Sequence, residues 1–376
     1  MPVYLDNAAS TPLDPVVFEF MRPWMLGHGA NAASVQHALG RAVATAVSTA
    51  RAEVAALLHA QPEDLVFTGS ATEACNLAIK GLVRPLLRSG KPVHCVAPMH
   101  EHPAVLGPLR RMEREGAEVT LMQPSVNGVI CATDLEPHMR PDTALVACMH
   151  ANNELGTLND IMSVGALCQA RGIRLLVDAS CSAGHVPLPV GAADLLVASS
   201  HKMHGPAGVG VLAIRSGARG CGLEPLIEGG GHESALRSGS LDAPAIIGFG
   251  AACTRARQVM PQERERQRAL RDRLESTLLK LFPGSVVHGA LDSRVPAITM
   301  CTLATGLPEP IPTLVTGVAC STGAACSSAS PGPSHVLKAI GVSAADAAGA
   351  VRLSVGRMTE GADIDQAIEC FAAINR

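Results

Sequence analysis

The chain alternates short runs of apolar residues with segments in which apolar residues recur at helical spacing. Residues 41–58 place six apolar side chains on one helical face and so predict an amphipathic helix: Val43, Val47, Ala50, Val54, Leu57 and Leu58. Apolar runs follow at residues 65–67, 93–96, 145–148, 175–177, 195–197 and 209–212, with helix-like stretches between most of them. Such runs suit strands that are buried on both faces. Their alternation with helices predicts an α/β protein whose mostly parallel sheet is flanked by helices.

The pattern changes beyond about residue 255. A charged helix there aligns four leucines on one face, namely Leu270, Leu274, Leu278 and Leu281, and further strands are predicted near 297–303 and 351–355. A chain of 376 residues is also longer than one core needs. We therefore predict a large domain over residues 15–255 and a smaller α+β domain made of residues 1–14 and 256–376.

Composition excludes several classes of protein. With 47% hydrophobic and 17% charged residues the chain can bury a core, so disorder is excluded. A net charge of −3 and an aromatic content of 2% argue against direct binding of nucleic acid, which needs basic surface and stacking side chains. No run approaches the ~18 apolar residues of a membrane helix, so we expect no contact with a membrane.

The twelve cysteines are scattered and form no CxxC pair. This distribution fits neither a zinc framework nor a disulfide scaffold, and the N-terminal residues do not resemble a secretory leader. His201 and His204 are three positions apart, but without further ligands they are a weak zinc signal, and we expect no metal. Together these features predict a cytoplasmic protein with reduced thiols.

Two polar residues follow apolar runs at the predicted edge of the sheet. Lys202 comes after the run at 195–197 within a stretch of small residues, where it could act as an amine nucleophile that forms a Schiff base. Asp178 follows the run at 175–177, and the carboxyl ends of neighbouring parallel strands converge on one crevice. A carboxylate there could pair with the ring nitrogen of pyridoxal 5'-phosphate (PLP). Taken singly, Lys202 could be a turn lysine and Asp178 a helix cap.

Two further segments carry candidate chemistry. Residues 68–73 follow a predicted strand and open a helix near Ala71, so their N–H groups could form a phosphate cup or an ordinary capping box. Residues 321–334 contain almost only small residues with Gly and Pro, which is typical of a mobile loop, and Cys326 lies in the middle. Taken singly, Cys326 could be an inert loop residue.

Motifs along nearly the whole chain resemble the group I cysteine desulfurases, which are class V, fold-type I PLP enzymes. The matching segments are 4–11 (YLDNAAST), 31–40, 71–73 (ATE), 101–102 (EH), 152–154 (NNE), 178–179 (DA), 199–202 (SSHK), 229–233 (GGGHE), 237–240 (RSGS), 321–328 (STGAACSS) and 351–354 (VRLS). Each motif is weak alone, but their shared order is specific. The resemblance implies the PLP-dependent transferase fold type I and a loop of about 308–334 that carries the catalytic cysteine.

The resemblance also implies roles for individual residues. Lys202 would hold PLP as a Schiff base and later transfer protons, Asp178 would face the pyridine nitrogen, and His102 would stack on the ring. The phosphate would be held by Ala71, Thr72, Ser199 and His201, with Ser240 contributed by the neighbouring subunit of a homodimer. The substrate carboxylate would be bound by Arg352 and Asn153, of which Asn153 also contacts the cofactor, and Asn31 would be a further substrate-binding position.

The chain departs from the family pattern at two places. Cys181 stands three residues after Asp178, where relatives carry a glutamine that donates to the phenolic oxygen of PLP. A thiol is a weaker donor, so we expect a perturbed titration of the bound cofactor and slower turnover. Residues 31–33 read NAA in place of the family's N-P-x. We interpret this second change as tolerable loop variation.

The resemblance assigns the function of a cysteine desulfurase. L-Cysteine would be converted to L-alanine, with His102 as acid or base and Cys326 receiving the sulfur as a persulfide for an acceptor protein. The acceptor could serve iron–sulfur assembly, tRNA thiolation or DNA phosphorothioation. Alternatives are another class V PLP enzyme, such as a selenocysteine lyase, an aminotransferase or a kynureninase-like hydrolase, and a sulfur-transfer scaffold of low activity. Cys326 favours the desulfurase, since aminotransferases and kynureninases do not require it.

Overall fold

The structure is a computed structural model that describes residues 2–27, 30–304, 310–322 and 334–374. The strands in these ranges are β1 Val3–Tyr4, β2 Leu65–Thr68, β3 His94–Pro98, β4 Glu118–Met122, β5 Thr143–Ala147, β6 Arg174–Asp178, β7 Leu195–Ser199, β8 Gly210–Ile214, β9 Val286–His288, β10 Ile298–Thr302, β11 Val318–Ala319 and β12 Ala350–Ser354. The helices are α1 Pro15–Leu26, α2 Ala38–Leu58, α3 Ala71–Arg88, α4 Pro103–Arg114, α5 Ala132–Leu135, α6 Ile161–Arg171, α7 Ala243–Leu281, α8 Ile311–Leu314, α9 His335–Ala339, α10 Ala344–Ala348 and α11 Gly361–Ala373.

A seven-stranded sheet forms the centre of the larger part, with strand order β2-β8-β7-β6-β5-β3-β4. The pairs β3–β4, β3–β5, β5–β6 and β6–β7 are parallel, whereas β8 runs antiparallel to both of its neighbours. Apolar side chains of β5 to β8 are buried on both faces of the sheet. One face packs on α3 and α4, whereas the other packs on α6 at β5 and β6 and on α2 and α7 at β7 and β8. The α/β class and the mostly parallel sheet are thus confirmed.

The other strands form a second group outside the large sheet. It comprises the antiparallel sheet β12-β10-β9 and the parallel pair β1–β11, so the N-terminal strand pairs with a strand near the end of the chain. Its separate apolar core includes Leu274 and Leu278 of α7. Helix α7 continues through residue 255 and contacts both cores, and the domain boundary placed at 255 stays a prediction.

The predicted elements are mostly confirmed. The helix expected over 41–58 is α2, and the six apolar runs correspond to β2, β3, β5, β6, β7 and β8. The charged leucine helix is the second half of the 39-residue helix α7, whose first half carries too many small residues to show a clear apolar stripe. None of the helices in the described part of the chain is long and apolar enough to span a membrane.

Candidate active site

Lys202 lies directly beyond the carboxyl end of β7, at the end of a single 3₁₀ turn, Ser200–Lys202. The turn is tight because Gly205 packs against it, where a Cβ would collide with Ser200 Oγ. The backbone oxygen of Lys202 accepts a hydrogen bond of 2.7 Å from His185 Nε2. The side-chain nitrogen Nζ of Lys202 lies 3.3 Å from Cys181 Sγ. The side chain is therefore held at the sheet edge from two directions.

Asp178 is the last residue of β6, the parallel neighbour of β7, and it pairs in register with Val197. The two strands end at the same edge, so Asp178 and Lys202 converge as the sequence predicted. Asp178 Oδ1 accepts from the N–H of Ser180 at 2.8 Å. Asp178 is 8% exposed, and this bond orients its carboxylate at the edge of the crevice.

The electrostatics around Lys202 favour its charged form. Burial alone would lower the pKa of Lys202, but the neighbouring Cys181 and Asp178 raise it above the ordinary value. The amine is therefore an ammonium group at neutral pH in the cofactor-free protein. It must lose a proton before it can react as a nucleophile.

His102 is the N-cap of α4 and lies within the same electrostatic cluster. Burial, and then the charge of Lys202, lowers its pKa to about 4, so the ring is neutral at pH 7. Its Nδ1 accepts from the N–H of Ala104 at 3.1 Å, which places the ring hydrogen on Nε2. His102 is thus a neutral, oriented ring that can donate from Nε2.

The segment predicted to form a phosphate cup lies where α3 begins. Ser70 caps the helix by accepting from Glu73 N–H at 3.1 Å. The N–H groups of Ala71 and Thr72, in the first turn, have no acceptor within the helix. Gly210 allows this turn to approach β8, since a Cβ there would collide with the backbone of Ser70.

Ser199 is the last residue of β7, and His201 lies in the 3₁₀ turn that follows it. Ser199 Oγ and Ser200 Oγ are buried without a hydrogen-bond partner, although buried hydroxyls are normally paired. His201 Nδ1 lies 3.2 Å from Ser10 Oγ, and burial lowers the pKa of His201, so its ring is neutral at pH 7. These two unpaired hydroxyls beside the carboxyl end of β7 can form hydrogen bonds with a polar ligand.

Arg352 is buried and is the central residue of strand β12. Nη1 donates to the backbone oxygen of Asn153 at 3.0 Å, and Nη2 donates to Asp6 Oδ1 at 2.7 Å. Arg352 Nε and Asn153 Oδ1 are buried without partners. The structure therefore brings Arg352 and Asn153 together, and their free polar atoms can still receive a ligand.

A small cavity connects the two groups of strands at this site. Its volume is about 20 Å³, which is room for one water molecule, and it is lined by Lys202, Cys181, His185 and Asn7 on one side. The other side is apolar, formed by Val295, Ala297, Ile298 and Val355, together with Ser354 from the strand of Arg352. A small molecule in this cleft would touch both halves of the structure.

Asn31 and Ser240 lie elsewhere on the surface. Both are exposed, and Asn31 Nδ2 lies 3.5 Å from Ser240 Oγ. In the ranges that the structure describes, neither makes a hydrogen bond to the cluster around Lys202. Their predicted roles therefore depend on a neighbouring subunit, and those roles stay predictions.

Cys326 lies outside the described residues, which within the predicted loop of about 308–334 are 310–322 and 334. On one flank, Arg352 N–H donates to the backbone oxygen of Ser321 at 2.6 Å. On the other, Ser334 Oγ donates to Glu154 and caps α9, while His335 Nε2 donates to the backbone oxygen of Glu101 at 2.9 Å. The described residues on the two sides of Cys326 therefore lie beside Arg352 and beside Glu101, the neighbour of His102.

Sequence reasoning missed two carboxyl groups of the site. Asp6, the partner of Arg352, lies in the motif at 4–11, but its position 346 residues away gave no local signal. Glu101 precedes His102 and is completely buried, with Oε1 accepting from Met149 N–H at 2.6 Å and Oε2 unpartnered. Burial raises the pKa of Glu101 to about 8, so it holds a proton at pH 7.

These residues fit a bound PLP. A phosphorylated pyridine aldehyde needs an amine for its aldehyde, a carboxylate for its ring nitrogen, and hydroxyl and N–H groups for its phosphate. The site offers a lysine, a carboxylate at the end of the neighbouring strand, unpaired buried hydroxyls and helix N–H groups.

Comparisons with known proteins define the class first. Residues 3–367 match the family model described as aminotransferase class-V, so the chain belongs to this family. It is 42% identical over 373 residues to the cysteine desulfurase IscS of Vibrio cholerae, covering 98% of this chain and 91% of that protein. The corresponding protein of Shewanella denitrificans is 41% identical with the same coverage. Within the family the chain is a PLP-dependent cysteine desulfurase, as the sequence predicted.

Solved structures give the same result. A NifS-like protein superposes with a TM-score of 0.90 at 29% identity and covers 100% of this chain and 99% of that chain. SspA in complex with cysteine gives a TM-score of 0.82 at 33% identity, with 94% and 98% coverage. DndA from Streptomyces lividans gives 0.78 at 32% identity, with 93% and 99% coverage. The predicted fold type I architecture is confirmed.

Proposed function

We propose that the protein takes the sulfur atom of L-cysteine, holds it as a persulfide on Cys326 and passes it to an acceptor protein. The Cβ–S bond of the substrate breaks, a bond forms between Cys326 Sγ and the substrate sulfur, and a proton takes the place of sulfur on carbon. The products are L-alanine and the Cys326 persulfide. The complex of the related SspA with cysteine supports L-cysteine as the substrate.

One observation carries the proposal. Asp178 ends one strand, and Lys202 follows the end of the adjacent parallel strand. Lys202 also borders a cavity whose lining includes Ser354 from the strand of Arg352. Bound PLP would supply an electron sink for the substrate carbon atoms. Lys202 would anchor it and, once released, move a proton to or from the substrate Cα. Asp178 would hold a proton on the ring nitrogen through its negative charge.

The remaining roles follow from the contacts of the chain. Arg352 would bind the substrate carboxylate, because its planar fork suits two oxygens and its Nε is unpaired. His102 would stack on the ring as a neutral imidazole and donate from Nε2. This orientation disfavours His102 as the base for the Cys326 thiol, since Nδ1 is already an acceptor for Ala104 N–H.

We also propose a homodimer. Helix α1 buries Val17 and Met21 against the core but exposes large apolar side chains on its other face, including Phe20 at 58% and Leu26 at 78% exposed. Exposed apolar surface of this kind is typical of subunit contacts. Asn31 and Ser240 lie next in the chain to α1 and α7, where a second subunit could receive them. The cytoplasmic location and the acceptor pathway stay predictions.

The function is tested on the purified protein. We expect the visible absorbance of a lysine-bound PLP, and release of sulfide and alanine from L-cysteine with a reductant. Cys326→Ser should keep the absorbance and lose persulfide formation. A colourless protein that PLP cannot restore would refute the cofactor assignment, and wild-type sulfide release by Cys326→Ser would refute the persulfide step.

A further inference from the structure

Cys181 differs from the other buried thiols because an amine is its neighbour. Its Sγ lies 3.3 Å from Lys202 Nζ, and both residues line the small cavity between the two groups of strands. A small oxidant that enters this cavity therefore meets both groups at once. At this separation a direct Sγ–Nζ bond requires only a side-chain rotation, without movement of the backbone.

In the described parts of the chain, the other buried cysteines make no hydrogen bond to an amine. Burial raises the pKa of the Cys95 thiol to about 12, and it also raises the pKa of Cys75 and Cys148. Cys253 is buried in the apolar core, and its Sγ lies 3.9 Å from the sulfur of Met203. Thiols that stay protonated in apolar surroundings react slowly with oxidants. Among these sites, an oxidised sulfur would find an amine nucleophile only at Cys181.

We propose that Cys181 and Lys202 form a reversible oxidative cross-link in the cofactor-free enzyme. A peroxide first oxidises the Cys181 thiol by two electrons to a sulfenic acid and is itself reduced to water. Lys202 Nζ loses one proton to solvent, and its lone pair then attacks Sγ. The S–O bond breaks, and the hydroxyl group leaves with a second proton from the nitrogen as a second water. The product contains an Sγ–Nζ bond and has lost two hydrogen atoms.

The cross-link blocks the loading of PLP, which rests on the proposed role of Lys202 as the residue that binds the cofactor. Bound PLP occupies the amine, so the holoenzyme is protected. A dithiol reverses the reaction, because thiolate attack on Sγ releases the amine and a second attack restores the Cys181 thiol. The cross-link thus forms only in the absence of PLP, and a reductant restores the ability of the enzyme to bind PLP.

The test uses enzyme from which PLP has been removed and then restored in a control sample. Both samples are treated with hydrogen peroxide, digested without reductant and analysed by mass spectrometry. In the cofactor-free sample we expect a joined pair of peptides that contain Cys181 and Lys202, lighter than their sum by two hydrogen atoms, about 2 Da. PLP absorbance should not return on reloading until dithiothreitol is added. The holoenzyme should contain no joined peptides.

Matched variants separate the cross-link from general damage. Cys181→Ser and Cys181→Ala should lose the joined peptides and reload PLP after peroxide, whereas Cys253→Ala should behave as the wild type. Cys181 recovered only as a free thiol or a sulfinic acid would overturn the proposal, as would the cross-link at another cysteine. These measurements require no turnover of cysteine. A protein whose PLP is not attached to Lys202 would instead refute the proposed function.

Discussion

Arg352 Nη2 and Asp6 Oδ1 lie 2.7 Å apart, so the guanidinium assigned to the substrate carboxylate already has a carboxylate partner. Arg352 is 2% exposed, and a buried guanidinium needs such a counter-charge. Asp6 keeps the charge compensated when the site is empty and fixes one side of the fork. The substrate carboxylate must then be received by the remaining edge of the guanidinium, which explains why Nε is unpaired before binding.

Arg352→Lys is expected to weaken binding of L-cysteine without loss of PLP. Lysine keeps the charge but loses the planar fork, and a lost charged hydrogen bond of about 1.5–3 kcal/mol corresponds to roughly a ten- to hundredfold rise in KM. The measurement is KM for cysteine together with the visible absorbance. Arg294→Lys is the matched control, because Arg294 is also a buried arginine that pairs through both nitrogens, here with Glu275 outside the site. A KM that rises equally in both variants would contradict the assignment.

Cys181→Gln is expected to lower the pH at which the absorbance of bound PLP titrates. The thiol at 3.3 Å contributes to the raised pKa of Lys202, and an amide would remove this contribution. The amide also donates to the phenolic oxygen more strongly than a thiol does, which favours the deprotonated form. We expect a shift of about one pH unit, which corresponds to about 1.4 kcal/mol, close to the lower limit for one hydrogen bond to a charged group. An unchanged midpoint, with Cys253→Ala as control, would show that Cys181 does not influence the cofactor.

Much of this site could be predicted from the sequence because its main residues follow apolar runs. The runs at 175–177 and 195–197 identified two strands, and their parallel pairing brings Asp178 and Lys202 together. The Asp6–Arg352 pair could not be predicted in this way. It depends on an isolated bridge between Asp6 and Ser354, which joins the two ends of the chain and leaves no periodic pattern. The complete burial of Glu101 is likewise a result of packing between elements that are distant in sequence.

Glu101→Gln is expected to flatten the pH dependence of the stability of the cofactor-free protein. The pKa of Glu101 is raised to about 8 in the folded state, so its stabilising effect is complete below the unfolded pKa near 4.5 and is lost as the pH rises towards 8. Glutamine resembles the neutral acid and does not titrate. Relative to wild type, the variant should therefore become more stable as the pH rises from about 5 to 8.

Urea unfolding of the two proteins at several pH values measures this difference. His100, whose pKa is lowered to about 4, gives the opposite slope in both proteins, so subtraction removes its effect. A constant difference between pH 5 and 8 would mean that Glu101 is ionised in the folded protein.

Ser334→Ala is expected to slow the capture of sulfur by Cys326 while PLP binding is unchanged. Ser334 follows Cys326 by eight residues and fixes the start of α9 through two kinds of contact. Its Oγ accepts from the N–H groups of Val336 and Leu337, each at 3.1 Å, and donates to the buried carboxyl of Glu154. Alanine removes the cap, which costs about 1 kcal/mol, and leaves Glu154 without its donor.

Because Glu154 neighbours Asn153, and His335 bonds to the oxygen of Glu101 next to His102, the start of α9 is tied to the residues that surround the cofactor. Single-turnover formation of the Cys326 persulfide should fall several-fold, and Ser334→Thr, which keeps the hydroxyl, should restore it. Ser343→Ala is the matched control, since Ser343 caps α10 in the same way but contacts no residue of the site. Equal rates in Ser334→Ala and Ser343→Ala would show that the cap stabilises α9 without positioning the chain for sulfur transfer.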